Sequence, residues 1–204
     1  DDVLRQFVGG SGLGTWLVSR ESPGGVDPLA PEAALVIALS PLVGTPLTTS
    51  AKFAVVAKSP LTNRICDALA SDLFAIELKR CGIDALVIVG QAPRWSSVVI
   101  ENGQVRIDDA EDLLGLSAAN AEARLVERLG PAFRTLAIGP AGENLVRFAT
   151  VSANGRHAGR GGLGAVLGTK RIKARLCTIC ATNPGSRPPM AMVQFVSQNA
   201  MAVM

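Results

Sequence analysis

Apolar residues in this chain fall mostly into short runs rich in Val and Ile, separated by Gly, Pro and polar positions. Residues 34–39, 53–58 and 85–89 are such runs. A bounded apolar run of about 4–8 residues predicts a buried strand. Residues 97–100 and 104–107 bracket Glu101, Asn102 and Gly103, and Asn-Gly between two β-type runs predicts a hairpin. Residues 135–138, 146–151 and 174–179 predict three more strands. Helical spacing is rarer. It covers residues 1–20, where Val3, Phe7 and Val8 precede Trp16, Leu17 and Val18 with a glycine-rich stretch between them. So many glycines inside a helical pattern point to close packing or to the approach of a ligand. Helical spacing also covers residues 116–129, which Ser117 caps and Gly130 and Pro131 stop. Residues 21–33 read as a loop rich in Pro and Gly, and a last helix is predicted to run from Ala165 to Lys170.

The pattern also echoes itself. Ile37-Ala38-Leu39, a Pro turn and Lys52-Phe53 match Leu136-Ala137-Ile138, a Pro turn and Arg147-Phe148. The match predicts a duplicated strand-rich unit, a ligand where the two copies meet, and equivalence of Lys52 with Arg147. Past Cys180 the character changes. Residues 181–189 have linker composition, and residues 190–204 are apolar, predicting a terminal helix docked on a partner.

Composition narrows the class. With 48% hydrophobic and 18% charged residues, the 204-residue chain has the makings of a globular core. Aromatics make up only 4%, with no Tyr, which weighs against base-stacking nucleic-acid binders. The net charge of +3 is too mild for a general nucleic-acid surface. The basic cluster at residues 170–175 is expected to be a solvated helix end or strand edge. No apolar run reaches the ~18 residues of a membrane span. Without a secretory signal, Cys66, Cys81, Cys177 and Cys180 are expected to be reduced and the protein cytoplasmic. Asp rather than Met at position 1 suggests that the N-terminus lies further upstream.

The candidate chemistry centres on residues 154–170, where small residues flank Arg156, Arg160 and His157, the sole histidine. Glycines let backbone amides approach a ligand, and amides with forked cations make an anion-binding surface. A phosphate-bearing cofactor is the expected guest. Residues 159–164 match G-x-G-x-x-G, but no acid follows about 20 residues on, as a dinucleotide fold requires. The Gly-Lys-Ser/Thr order of a P-loop is absent too. Cys177 and Cys180 form a lone CxxC, which reads as core cysteines because a metal or cluster needs three or four ligands. Asp67, Asp72 and Glu77 are the carboxylates nearest a possible pocket, and a helix N-terminus would equally attract them.

Several segments resemble one family: VDPLAPE at 26–32, SPLVGT at 40–45, KSPLT at 58–62, ELKRCGIDA at 77–85, IGPAGENLVRFA at 138–149, and the glycine-rich loop. Over residues 4–178 the chain is similar to the N-terminal domain of the tungsten-containing aldehyde ferredoxin oxidoreductases. That resemblance implies an α+β fold over residues 1–180, with duplicated strand-rich units forming layered sheets with packing helices. Residues 181–204 would be a linker and apolar tail. It implies a cradle for two pterin cofactors that share one tungsten or molybdenum, with magnesium bridging their phosphates. By resemblance Arg156 lies near those phosphates, the His157 backbone faces the magnesium, and Lys52 replaces a family arginine. Leu69 takes the position of an asparagine, and Ala158, Gly159, Arg160, Gly161 and Gly162 complete the binding loop.

The implied function is a domain or subunit of a bis-pterin oxidoreductase acting on aldehydes or related substrates. Its partners would be an iron–sulfur or catalytic domain or subunit and a ferredoxin-like electron acceptor, within an oligomer. The family reads Asn-Ser-Gly-Gly-Phe/Tyr-Phe where this chain has Leu69-Ala70-Ser71-Asp72-Leu73-Phe74, and Ser11 stands where the family has an arginine. Asp72 would then bring a negative charge towards the phosphates. The alternative is a cofactor-free scaffold that docks a catalytic partner.

Overall fold

Two sheets repeat one antiparallel plan. The computed structural model describes residues 2–101, 104–177, 193–196 and 200–203. The first sheet contains β1 (Leu35–Leu39), β2 (Lys52–Lys58), β3 (Ile65–Ser71) and β4 (Ala85–Ile88), in the order β3-β2-β1-β4. The second contains β5 (Ser96–Glu101), β6 (Gln104–Asp109), β7 (Arg134–Ala137), β8 (Val151–Ala153), β9 (Arg156–Ala158) and β10 (Ile172–Cys177), in the order β6-β5-β10-β7-β8-β9. All neighbours are antiparallel except β5 and β10. The run β10-β7-β8-β9 therefore repeats β4-β1-β2-β3, and the echo in the sequence is a true duplication of topology.

Register refines that echo. Ala38 pairs with Ala54 and Ala85, and Ala137 pairs with Ser152 and Ala174. Aligning Ala38 on Ala137 makes Thr150, not Arg147, the equivalent of Lys52. The expected strand at 146–151 is instead a loop leading into β8, and Phe148 is 69% exposed where Phe53 is 1% exposed. The short helix α5 (Pro140–Glu143) lies in the connection, and the second copy's strand lies three residues beyond the place that the Arg147-Phe148 match predicts.

The remaining helices are α1 (Asp2–Phe7), α2 (Gly10–Glu21), α3 (Leu73–Arg80), α4 (Ala118–Leu129) and α6 (Leu163–Thr169). The expected helix over 1–20 breaks in two, because Val8 and Gly9 take φ of 59° and 125°. Alternate residues of the first sheet serve two layers. Val36, Ala38, Ala54 and Val56 face Leu13 and Leu17 of α2. A Cβ on Gly14 would lie 2.5 Å from Val56 Cγ2, so this glycine lets α2 sit tightly on the sheet. Ile37, Phe53 and Val55 face a central layer with Phe74 and Leu78 of α3 and Val166 of α6, which also takes Val98, Leu136 and Val151 from the second sheet. Each such side chain contributes about 1.5–3 kcal/mol by leaving water. Leu125 of α4 covers the outer face with Val99, Ala137 and Ala174.

Several expectations hold here. Ser117 Oγ accepts from Asn120 N–H at 3.2 Å, and the helix it caps ends at Gly130. Strands β5 and β6 pair Glu101 with Gln104, while Asn102 and Gly103 lie outside the described residues. Other expectations do not hold. The basic cluster is not solvated: Lys170 and Lys173 are 1% and 0% exposed. Lys170 Nζ donates to the carbonyls of Ala30, Pro31 and Ala33, and Lys173 pairs with Glu143. Cys81 is disulfide-bonded rather than reduced, while Cys66 is free. Cys177 lies on β10, and Cys180 is outside the described residues. The tail is not helical where described: β11 (Val193–Val196) pairs antiparallel with β12 (Ala200–Val203). Periodicity does not separate strand from helix in so short an apolar run.

Candidate functional site

Strands β3 and β9 are the matching edges of the two sheets, and they lie side by side. Leu69 pairs with Ala54 on β2, and His157 pairs with Ser152 on β8. The registers above make Leu69 and His157 equivalent positions of the two copies. An edge strand leaves one side of its backbone without ladder partners. The junction thus brings together two edges with unspent carbonyls and amides.

Two cavities flank this junction and share Leu69 and His157. The larger, about 520 Å³, is lined by these residues with Asp67, Ala68, Gly159 and Arg160. The other, about 260 Å³, adds Lys52, Ala70, Ser71 and Arg156 to the shared pair. Arg160 thus serves one cavity, and Lys52 and Arg156 serve the other. The polypeptide does not fill the bend, and room for a guest remains. The cation-and-backbone lining suits phosphate groups. Among the described residues no cluster of three or more His, Cys, Asp or Glu could hold a metal on side chains alone. A bridging cation would have to rely on backbone carbonyls and on the phosphates themselves.

The other expected residues of the loop turn inward. Ala158 is fully buried. Gly161 and Gly162 both have φ of 70°, and a Cβ there would meet Cys66 Sγ at 2.5 Å and the Arg147 carbonyl carbon at 2.7 Å. These two glycines let the loop close on β3 and on residues 145–148, while Gly159 faces the open cavity. His157 Nδ1 and Thr150 Oγ1 lie 3.1 Å apart, which ties the imidazole to the loop before β8. Ser11 Oγ donates to Asp67 Oδ2 at 2.6 Å. Burial, and then the Asp67 carboxylate, push the Cys66 thiol up, against the pull of Arg160.

The carboxylates separate by role. Asp67 lines the larger cavity. Asp72 is buried and caps α3, accepting from Phe74 N–H at 2.8 Å. Its charge is spent on a helix terminus. Glu77 lies within α3, buried and paired with Arg80 at 2.8 Å. Sequence reasoning missed β3 and α3; β3 alternates exposed and buried positions, but apolar Ile65 and Leu69 stand on its exposed side, so polarity does not reveal the alternation. It also missed the β8–β9 hairpin, although Asn154-Gly155 between two short runs is its signature. Glu122 on α4 was missed as well. Its Oε2 accepts from Asn154 N–H at 3.1 Å.

The family profile of the aldehyde ferredoxin oxidoreductase N-terminal domain matches residues 1–178. The chain belongs to the aldehyde ferredoxin oxidoreductase N-terminal domain family. It is 40% identical over 176 residues to the tungsten-containing aldehyde ferredoxin oxidoreductase of Pyrococcus furiosus, covering 85% of this chain and 29% of that protein. It is 35% identical over 191 residues to the WOR-like subunit of an aliphatic sulfonate oxidoreductase from the same organism, covering 85% of this chain and 30% of that protein. Among solved structures it resembles the BamBC active-site complex of benzoyl coenzyme A reductase bound to 1,5-dienoyl-CoA. There the TM-score is 0.84 and the identity 32%, over 87% of this chain and 27% of that one. The chain thus spans under a third of the length of these relatives. The α+β fold with duplicated strand-rich units is that of the family. Among the described residues no helix is long and apolar enough to cross a membrane.

Proposed function

We propose that this chain is the cofactor-cradle part of a tungsten- or molybdenum-dependent oxidoreductase of the aldehyde:ferredoxin type. One observation carries the reading: two cavities, one bordered by Arg160 and the other by Lys52 and Arg156, flank the register-equivalent pair Leu69 and His157. Two cavities, one on each side of the paired edge strands, suit two pterin cofactors. Lys52 and Arg156 on one side and Arg160 on the other supply charge for phosphates, and Gly159 leaves the larger cavity open for close approach. The edge carbonyls at Leu69 and His157 are the backbone groups available to a magnesium ion between the phosphates. Ala158, Gly161 and Gly162 act from behind, holding the loop against the core. When bound, the tungsten or molybdenum centre would supply the redox chemistry; this chain binds and orients.

Residues 1–180 form the cradle domain in this reading, and residues 181–204 are a linker and apolar tail. Iron–sulfur clusters and catalytic groups belong to another domain or subunit of a cytoplasmic oligomer, with a ferredoxin-like protein as electron acceptor. Sequence identity to oxidoreductases over 85% of the chain supports this. A second reading, a cofactor-free scaffold docking a catalytic partner, is favoured by Leu69, which is 58% exposed beside both cavities, and by the Asp67 carboxylate in the larger one. Elemental analysis decides between them. Protein purified from its own tungsten-supplied cells should carry tungsten or molybdenum together with phosphorus. Arg156→Ala should lose both yet remain folded, since Arg156 is exposed. Metal-free wild-type protein with a tightly bound partner would replace the first reading by the second. An Arg156→Ala variant that keeps its metal would remove Arg156 from the site.

A further inference from the structure

Glu122 has no part in the cavities, yet its carboxylate reaches the turn that presents them. The side chain is 8% exposed and projects from α4 towards the β8–β9 hairpin. Oε2 accepts from Asn154 N–H at 3.1 Å, and the Ser152 hydroxyl near the carboxyl group favours its ionised form against the stronger effect of burial. Oε1 is buried without a partner. Asn154 and Gly155 have φ of 48° and 75°, the two left-handed residues of a type I′ turn. The next two residues are Arg156 and His157. The direction of this turn therefore decides where the guanidinium and the imidazole emerge. Burying a half-satisfied carboxyl group is costly, and packing alone gives no reason to keep it there.

We infer that Glu122 is a positioning residue. It grips the Asn154–Gly155 turn from beneath and holds Arg156 and His157 at the cavity mouths. The inference rests on the anion-site reading of those cavities. The test uses the full chain, inorganic pyrophosphate as probe, and amide hydrogen exchange at residues 154–157. Glu122→Met fills the space without an acceptor, and Glu122→Gln restores the acceptor.

Glu122→Met should stay folded, exchange faster at Asn154 and Arg156, and bind pyrophosphate roughly five- to tenfold more weakly, the loss of about one hydrogen bond's worth of order. Glu122→Gln should restore both. Wild-type affinity and wild-type exchange in folded Glu122→Met would overturn the inference, and so would faster exchange with unchanged affinity. If the wild-type chain itself fails to bind pyrophosphate, the anion-site reading fails instead. Exchange alone then decides whether Glu122 anchors the turn. Should Glu122→Met not fold, Glu122→Asp carries the test, since its carboxylate falls one methylene short of the turn: faster exchange with weaker binding supports the anchor, and wild-type exchange or wild-type affinity overturns it.

Discussion

Adding one methyl group at Gly162 tests the packing of the glycine loop. Gly162 and Gly155 both have φ in the left-handed region, 70° and 75°, so alanine pays left-handed strain at each. That strain is about 1 kcal/mol, partly offset because alanine also restricts the unfolded chain. Their surroundings differ completely. Nothing lies within 4 Å of a Cβ on Gly155. A Cβ on Gly162 would lie 2.7 Å from the Arg147 carbonyl carbon and 3.1 Å from Pro60 Cγ. The first contact is about an ångström inside the favourable carbon–carbon separation. Backbone cannot rotate away as a side chain can, so the loop or residues 145–148 must move. Gly155→Ala should cost about 0.5–1 kcal/mol and Gly162→Ala about 3–5 kcal/mol. Urea unfolding followed by circular dichroism at 25 °C measures both, and equal slopes would show that the unfolded states are comparable. If the two variants lose stability equally, the loop is not closed on Arg147 as described.

Two further outcomes follow from buried charges and caps. Burial lowers the Lys170 pKa from 10.5 to about 7. Between those values the unfolded chain holds more protons, so this lysine makes stability rise with pH by at most about 1.4 kcal/mol per unit. The stability gap between wild type and Lys170→Met should therefore widen from about pH 7 to about pH 9.5; a flat gap would mean that the folded lysine stays charged throughout. Asp72→Ala removes the α3 cap and should cost about 1 kcal/mol in the same unfolding assay, with Asp72→Asn close to wild type. Equal losses in the two variants would mean that the carboxylate charge, not the cap geometry, carries the effect.

The apolar runs determined much of this protein by themselves. Val- and Ile-rich segments became β1, β2, β4 and β5, since short bounded runs of β-branched residues suit a strand covered on both sides. Ser117 and Gly130 bounded α4 because capping is local chemistry. The loop at 154–162 also announced its cations and glycines, and Arg156, His157, Gly159 and Arg160 do line open space. The tertiary structure alone decided the rest. Lys170 and Lys173 look like surface charges in the chain, yet distant carbonyls at Ala30, Pro31 and Ala33 and the Glu143 carboxylate, brought close only by folding, bury them. Register, which no local pattern encodes, matched Lys52 to Thr150 and Leu69 to His157. Glu122 gained its place under the β8–β9 turn only when α4 packed on the second sheet. Strand, cap and turn preferences arise between neighbours a few residues apart. A cavity, a buried lysine or a carboxylate beneath a turn arises between residues that are neighbours only in space.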